Sequence, residues 1–292
     1  MKKWRFLLLL LICLGVSLVY TATRLQDNAD VELQYGNQPN VSSEEQSDES
    51  TRQVDVTEDQ TKQGNLLLIN RDYAVKRDSI RQGIVDLSTH RDLTQGYVLL
   101  DNNISLPKDI ARKFSDMVTA AGKEGVNHFS MTSGVRSFEK QRELYQEKGA
   151  NLALPAGHSE HNAGLALDVG STQESMYNAP EAKWIEENAW KHGFILRYPE
   201  GKVDVTGIEY EPWHIRYVGL PHSAIMKEKN FVLEEYLNHL KQKKKMSVDV
   251  DGKAYTVSYH SFSENMTIDI PEHLEYKISG NNMNGVIVTV FE

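Results

Sequence analysis

Cysteine is nearly absent from this sequence, since Cys13 is the only one in 292 residues. No disulfide can form within the chain, so the fold must rest on packing, with or without a bound metal. Basic residues are fewer than acidic residues, and the formal net charge is -9. That charge argues against nucleic acid or an anionic membrane surface as the main partner. A hydrophobic content of 40% is sufficient for a core of one large domain or two small ones.

Long apolar runs are scarce as well, and the longest one extends from Phe6 to Tyr20, directly after three basic residues. Basic residues before an apolar core predict an export signal or a membrane anchor. The run is shorter than the roughly 20 residues of a full membrane span, but no small-x-small cleavage site follows it. We predict an uncleaved anchor over residues 1–23, which crosses the cell membrane once and leaves the rest of the chain outside.

Residues 24–65 contain few apolar side chains and have an acidic, polar centre at 42–50. A segment of this composition cannot bury enough apolar surface to fold. We therefore predict a disordered stalk between the anchor and a folded part that begins near residue 66.

The folded part is predicted to be α+β, with mixed helices around a small antiparallel sheet and a C-terminal β appendage. Within residues 66–245, the apolar run 66–70 predicts a buried strand, and helical spacing between Pro107 and Gly122 predicts a helix. Residues 246–292 alternate between apolar and polar side chains around two hairpin turns, Asp251-Gly252 and Asn284-Gly285.

Three histidines and three carboxylates stand in the short stretches 157–168 and 211–214. Zinc accepts His nitrogen and carboxylate oxygen, and a catalytic zinc site typically has three protein ligands and one open position. We assign His161, Asp168 and His214 as the ligands of one zinc ion. Glu211 is assigned as the base that deprotonates water at the metal.

The spacing of the first two ligands excludes a single helix that carries both. His161 and Asp168 are seven residues apart in a glycine-rich stretch, which does not suit a ligand pair at i and i+4. We predict that His161 lies on a loop, that Asp168 ends the strand 165–167, and that Gly164 provides the turn between them.

The third ligand and the base also need an irregular backbone. Glu211 and His214 are three residues apart and would face opposite sides of a regular strand. Pro212 lies between them, and it is predicted to interrupt the strand so that both side chains reach one metal.

These residues belong to a longer pattern, Ser159-x-His161-x-x-Gly164-x-Ala166-x-Asp168, followed by Glu211-x-x-His214. The pattern resembles the signature of VanY-type zinc D-alanyl-D-alanine carboxypeptidases, in a family shared with VanX-type D,D-dipeptidases. The resemblance runs from about Asn65 to the C-terminus and includes the stretches 66–70 and 193–199. His158 is a rival for the first ligand, but only His161 has the family's spacing to Asp168.

The resemblance implies a mixed α+β fold, one zinc ion, and removal of the last D-alanine from peptidoglycan precursors that end in D-Ala-D-Ala. In glycopeptide resistance, this removal destroys the target of vancomycin. Arg136 and Gln141 match the family's substrate-contacting Arg and Gln, and Arg136 is expected to stabilise the developing oxyanion. Ser159 is expected to bind the free carboxylate of the last residue. A preference for D,D over L,D substrates rests on the resemblance alone.

Three other functions remain as alternatives. Ser137 and Lys140 satisfy the Ser-x-x-Lys pattern of penicillin-sensitive serine carboxypeptidases, although the chain has no Lys-Thr-Gly or Ser-Asp-Asn partner. A non-catalytic wall-binding protein with a structural zinc would not need Glu211, and wall binding or structural cover are both open roles for the C-terminal appendage. A D,D-dipeptidase is disfavoured by the export signal, because free D-Ala-D-Ala is made and used in the cytoplasm.

Overall fold

The computed structural model describes residues 31–35, 50–149 and 153–292. The predicted anchor over residues 1–23 and the centre of the predicted stalk lie outside these ranges. Among the described residues, none of the helices combines the length and the apolar character that a membrane span requires.

The secondary structure of the described chain is mixed. The strands are β1 (Val31–Tyr35), β2 (Thr51–Asp55), β3 (Ile84–Asp86), β4 (Val98–Leu99), β5 (Ser105–Pro107), β6 (Phe129–Ser133), β7 (Ala166–Ser171), β8 (Phe194–Leu196), β9 (His214–Tyr217), β10 (Lys245–Val250), β11 (Lys253–Ser261), β12 (Thr267–Pro271), β13 (Glu275–Gly280) and β14 (Gly285–Phe291). The α-helices are α1 (Lys108–Lys123), α2 (Phe138–Lys148), α3 (Glu160–Ala163), α4 (Pro180–Asn188), α5 (Val203–Thr206), α6 (His222–Lys229) and α7 (Leu233–Lys243). Short 3-10 helices cover Glu58–Lys62, Arg77–Ser79, Leu87–Thr89, Arg91–Leu93 and Ala189–His192.

The first of two five-stranded sheets has the order β4-β6-β7-β9-β8. Its pairs are antiparallel except β4 with β6, which run parallel. Helix α1 covers one face, and its apolar stripe, which includes Phe114 and Met117, packs against Phe129 and Phe194 in one core. The predicted helix between Pro107 and Gly122 and the α+β class are confirmed.

The second five-stranded sheet is antiparallel and has the order β1-β10-β11-β14-β13. The predicted hairpin at Asp251-Gly252 is present, because Val250 pairs with Lys253 across it. Helices α6 and α7 pack on this sheet and share a core with it. The β region is therefore not a free-standing appendage of residues 246–292, since it also contains β1 and rests on the helices that precede it.

The prediction of a disordered stalk over residues 24–65 is wrong for the part that the structure describes. Strand β1 pairs with β10, and β2 pairs with β12. Val31 and Leu33 pack on the second core, and Val56 is buried in a third one beneath β14. Each strand has few apolar side chains, with Val54 alone in β2, because its partner, more than two hundred residues away in sequence, supplies the rest of the buried surface.

Residues 66–69 are buried as predicted and Asn70 is half-buried, but the stretch forms no strand. Leu67 belongs to the first core, whereas Leu66 and Leu68 belong to the second. Each face of this extended segment thus contacts a different core. Its backbone bonds to side chains on both sides, and one example is Leu68 O, which accepts from Asn282 Nδ2 at 2.9 Å.

Candidate active site

His161 lies on the short helix α3 and not on a loop as predicted, between Ser159 as the N-cap and Gly164. Gly164 has φ +71°, and this left-handed conformation turns the chain from the helix into β7 as predicted. The His161 ring is buried, and its Nδ1 lies 2.7 Å from Gly134 O. Because a carbonyl can only accept, Nδ1 carries the proton and the lone pair of Nε2 is free to bind a cation.

Asp168 and His214 are direct partners in the ladder between β7 and β9. Opposite residues of neighbouring strands lie close together, and His214 Nδ1 is 3.0 Å from Asp168 Oδ1. The other carboxylate oxygen, Asp168 Oδ2, is 3.3 Å from His161 Nε2. One donor atom from each of the three residues lies within 4.8 Å of the others. Asp168 lies within β7 rather than at the end of a strand, opposite an irregularity in β6 near Ser133.

The electrostatics of this cluster favour a bound cation. Burial would raise the pKa of Asp168, but His161 and His214 hold it well below its usual range. Burial would lower the pKa of His214, but its hydrogen bonds to Asp168 and Glu160 outweigh burial and raise that pKa to about 9. The acidic surroundings that favour a proton on His214 also favour a metal cation in its place. Two imidazole nitrogens and a carboxylate oxygen fit zinc.

Glu211 precedes a turn at Pro212 and Trp213, and His214 begins β9 directly after it. The predicted interruption is confirmed, and it leaves Glu211 Oε2 3.9 Å from His214 Nδ1. The Glu211 side chain is 29% exposed and faces the cleft. Burial, followed by the charges of Asp168 and Glu160, raises its pKa against the opposing effect of His214.

The three predicted substrate contacts lie in the same cleft, which has a volume of about 560 Å³. Arg136 Nη1 donates to Gln141 Oε1 at 2.8 Å, and Arg136 Nη2 donates to Ser133 Oγ at 3.2 Å. Gln141 is itself fixed, because its Nε2 donates to Leu154 O at 2.7 Å. Ser159 lies on the wall beside the donor cluster. The structure therefore brings together all seven residues that the sequence analysis selected.

Two competing assignments do not fit this geometry. His158 Nδ1 is 2.8 Å from Asn70 O, and His158 does not belong to the donor cluster. Ser137 caps helix α2, because its Oγ accepts from Lys140 N at 3.0 Å. Lys140 Nζ pairs instead with Glu143 at 3.2 Å on the helix surface. These two residues consequently do not form a serine nucleophile with its base.

Sequence reasoning missed a group of buried charges behind the metal cluster. Glu160, Arg197 and Arg216 all have fully buried side chains. Glu160 accepts from both arginines and lies next to His214. The available signal was an arginine in each of two apolar strand regions, since a buried arginine requires an acidic partner.

Comparisons with known proteins agree with this site. A sequence model of the VanY family, described as D-alanyl-D-alanine carboxypeptidase, matches residues 103–220. A D-alanyl-D-alanine carboxypeptidase of Enterococcus faecium is 57% identical over 293 aligned residues, which cover 100% of this chain and 97% of that protein. The chain belongs to the VanY family. As a member of that family it is a carboxypeptidase, and it shares the family with VanX-type enzymes.

Two solved structures resemble the fold. The vancomycin resistance D,D-dipeptidase VanXYg, in complex with a D-Ala-D-Ala phosphinate analog, superimposes with a TM-score of 0.73 at 29% identity, covering 83% of this chain and 100% of that chain. The LdcB LD-carboxypeptidase has a TM-score of 0.52 at 31% identity, covering 59% of this chain and 84% of that chain. The VanY-family chain is thus similar to enzymes whose named substrates differ in length and stereochemistry.

Proposed function

We propose that this protein is a zinc-dependent D,D-carboxypeptidase that removes the C-terminal D-alanine from peptidoglycan precursor pentapeptides. By removing D-Ala-D-Ala termini, it would contribute to resistance against glycopeptides such as vancomycin. The observation that carries the proposal is the donor cluster of His161, Asp168 and His214, whose atoms lie within 4.8 Å of one another beside Glu211.

The three donors would hold one zinc ion at the wall of the cleft, where water and substrate could reach it. When bound, zinc lowers the pKa of water to about 7 and polarises the carbonyl of the scissile peptide bond. Three protein ligands with an open position are typical of catalytic zinc, whereas structural zinc usually has a fourth protein ligand. This difference favours an enzyme over a wall-binding protein with structural zinc.

Glu211 acts as the general base. Its carboxylate lies at the edge of the donor cluster and faces the cleft, so it can take a proton from the attacking water. It then gives this proton to the leaving amine of D-alanine. Burial raises the pKa of Glu211, which makes its carboxylate a stronger base than an exposed glutamate.

Arg136 and Ser159 bind two different parts of the substrate, the scissile carbonyl and the terminal carboxylate. The Arg136 guanidinium is fixed through Gln141 and Ser133, and it supplies positive charge where the carbonyl oxygen becomes an oxyanion. Ser159 is two residues from His161, so its hydroxyl can donate to the free carboxylate of the terminal residue. This pairing explains why the enzyme would act as an exopeptidase, because a substrate carboxylate in a closed site requires a hydrogen-bond donor.

We also propose that this reaction takes place outside the cell. The basic residues before Phe6 favour a cytoplasmic start and an external catalytic domain anchored in the cell membrane. Protease added to intact protoplasts should then release an active soluble fragment. Complete protection of the chain would contradict an external domain.

The test of the reaction is D-alanine release from three substrates: a pentapeptide ending in D-Ala-D-Ala, free D-Ala-D-Ala, and a tetrapeptide with an L,D terminus. We expect the pentapeptide to be cleaved fastest, loss of activity with a chelator, recovery with zinc, and no effect of penicillin. Faster cleavage of the dipeptide or of the L,D tetrapeptide would replace the proposed substrate. Inhibition by penicillin with full activity in chelator would contradict the metal mechanism.

A further inference from the structure

Glu160 precedes a metal ligand in sequence, but nothing in the reaction above requires it. Its side chain is fully buried, and so are those of Arg197 and Arg216, with which it forms ion pairs. Burying a carboxylate and two guanidinium groups is costly unless all of them are paired. The position of these buried charges, directly beside the metal ligands, indicates a role in the site.

The two oxygens of Glu160 have separate partners. Oε1 accepts from Arg216 Nη1 at 2.6 Å and from Arg197 Nε at 2.8 Å. Oε2 faces the other way and lies 3.4 Å from His214 Nε2. The arginines thus fix the carboxylate, and the carboxylate presents its remaining oxygen to the ring of a metal ligand.

We infer that Glu160 is a positioning residue that sets the tautomer and the ring orientation of His214 for metal binding. When Nδ1 binds a metal beside Asp168, the ring proton must reside on Nε2, and Glu160 Oε2, which can only accept, lies 3.4 Å from that nitrogen. The lone pair of Nδ1 is then directed into the donor cluster beside Asp168. Outer partners of this kind orient metal-binding histidines and raise their basicity, and their loss typically weakens metal affinity 10- to 100-fold.

The charges of the network add to this effect. Glu234 binds Arg197 through two hydrogen bonds of 2.9 and 2.7 Å, so two carboxylates balance two guanidinium groups. If Glu160 becomes neutral, the network behind the metal gains one uncompensated positive charge. A Gln side chain also has an NH₂ group, which can donate to Nε2 and favour the tautomer that cannot bind metal through Nδ1.

The network is anchored on elements outside the site. Arg216 Nη2 donates to Asn65 O at 2.8 Å and to Leu67 O at 2.9 Å. Glu234 lies on helix α7. The orientation of His214 is therefore fixed both by the buried segment between the two cores and by the helix that supports the second sheet.

The test is the zinc dissociation constant of the full chain, measured by competition with a chromogenic chelator, for Glu160→Gln and a matched control. The control is Glu181→Gln, because Glu181 is an equally buried carboxylate that accepts from His128 N at 3.1 Å and does not contact the site. We expect Glu160→Gln to weaken zinc binding at least tenfold. We expect Glu181→Gln to leave the zinc dissociation constant within about threefold of the wild-type value.

A second variant distinguishes an effect on the orientation of His214 from an effect of the net charge of the network. Glu160→Gln combined with Arg216→Gln restores the charge balance, because Arg197 and Glu234 then remain as a pair. It also serves as the test if the single variant does not fold. We expect the double variant to remain at least tenfold weaker for zinc, since Arg197 still binds the amide oxygen at position 160 and leaves the NH₂ group toward His214. Zinc affinity equal to that of the wild type in either variant would overturn the inference.

The inference rests on the proposed function, but the experiment distinguishes a failure of the inference from a failure of that function. If the wild-type chain does not bind zinc, the proposed function is wrong. If the wild type binds zinc and Glu160→Gln binds it equally well, only the role of Glu160 is wrong. An equal loss of zinc affinity in Glu181→Gln would show that Glu160 affects zinc binding only through the general stability of the fold, and it would overturn the inference.

Discussion

The stability of the junction between the helices and the second sheet should depend on pH through His222. This residue begins helix α6 and is buried between two hydroxyl groups. Its Nδ1 lies 2.7 Å from Tyr236 Oη, and its Nε2 lies 3.0 Å from Thr289 Oγ1. Burial, with a smaller contribution from the charge of Lys277, lowers the pKa of His222 to about 3.

The direction of the effect follows from proton binding. An unfolded histidine has a pKa near 6.5, so between about pH 6.5 and pH 3 the unfolded chain binds a proton at His222 that the folded chain does not. The folded state therefore loses stability as the pH falls through this range. At pH 5 the loss amounts to about 2 kcal/mol relative to pH 7.5, taking about 1.4 kcal/mol for each pH unit below 6.5.

Urea unfolding at pH 7.5 and pH 5.0 measures this contribution, with chelator present so that metal loss does not contribute. Other groups also titrate, so the relevant quantity is the difference between wild type and His222→Gln. The variant should lose about 2 kcal/mol less than the wild type between the two pH values. His273→Gln, at an exposed position, should behave like the wild type. Equal pH dependence in His222→Gln and wild type would refute the reasoning.

Two further predictions concern the substrate and the turn at the metal motif. Ser159→Ala should weaken binding of a free-acid substrate by roughly 1–3 kcal/mol and affect a C-terminally amidated substrate much less. Equal losses for acid and amide would indicate that Ser159 only positions His161. Gly164→Ala should destabilise the fold by roughly 1–2 kcal/mol, because φ is +71° and a Cβ would lie 3.2 Å from Pro107 Cγ. An unchanged melting temperature would contradict this strain.

The parts of the structure that the sequence predicted well are those with local signals. The stripe of apolar residues on α1 has a helical period, and Asp251-Gly252 is a strong hairpin signal. The site was predictable because its chemistry requires rare side chains at restricted spacings. Gly164 and Pro212 identified the two irregular points of the backbone that bring these side chains together.

The parts that the sequence did not reveal depend on contacts between distant residues. Strand β1 is polar apart from Val31 and Leu33, and only its pairing with β10 makes it a strand. Residues 66–70 have the composition of a buried strand, but the carbonyls of Leu67 and Leu68 bind the side chains of Arg216 and Asn282 and no ladder forms. The position of Glu160 likewise depends on two arginines 37 and 56 residues away.

The most direct test of the central claim is to measure zinc content and turnover together in Glu211→Gln. The substitution keeps the size of the side chain and removes the base, while His161, Asp168 and His214 stay intact. We predict about one zinc per chain, as in the wild type, and a kcat for D-alanine release from the pentapeptide that falls by about 10²-fold or more. Loss of zinc from the variant would make Glu211 a ligand, and near-normal turnover would show that the base lies elsewhere.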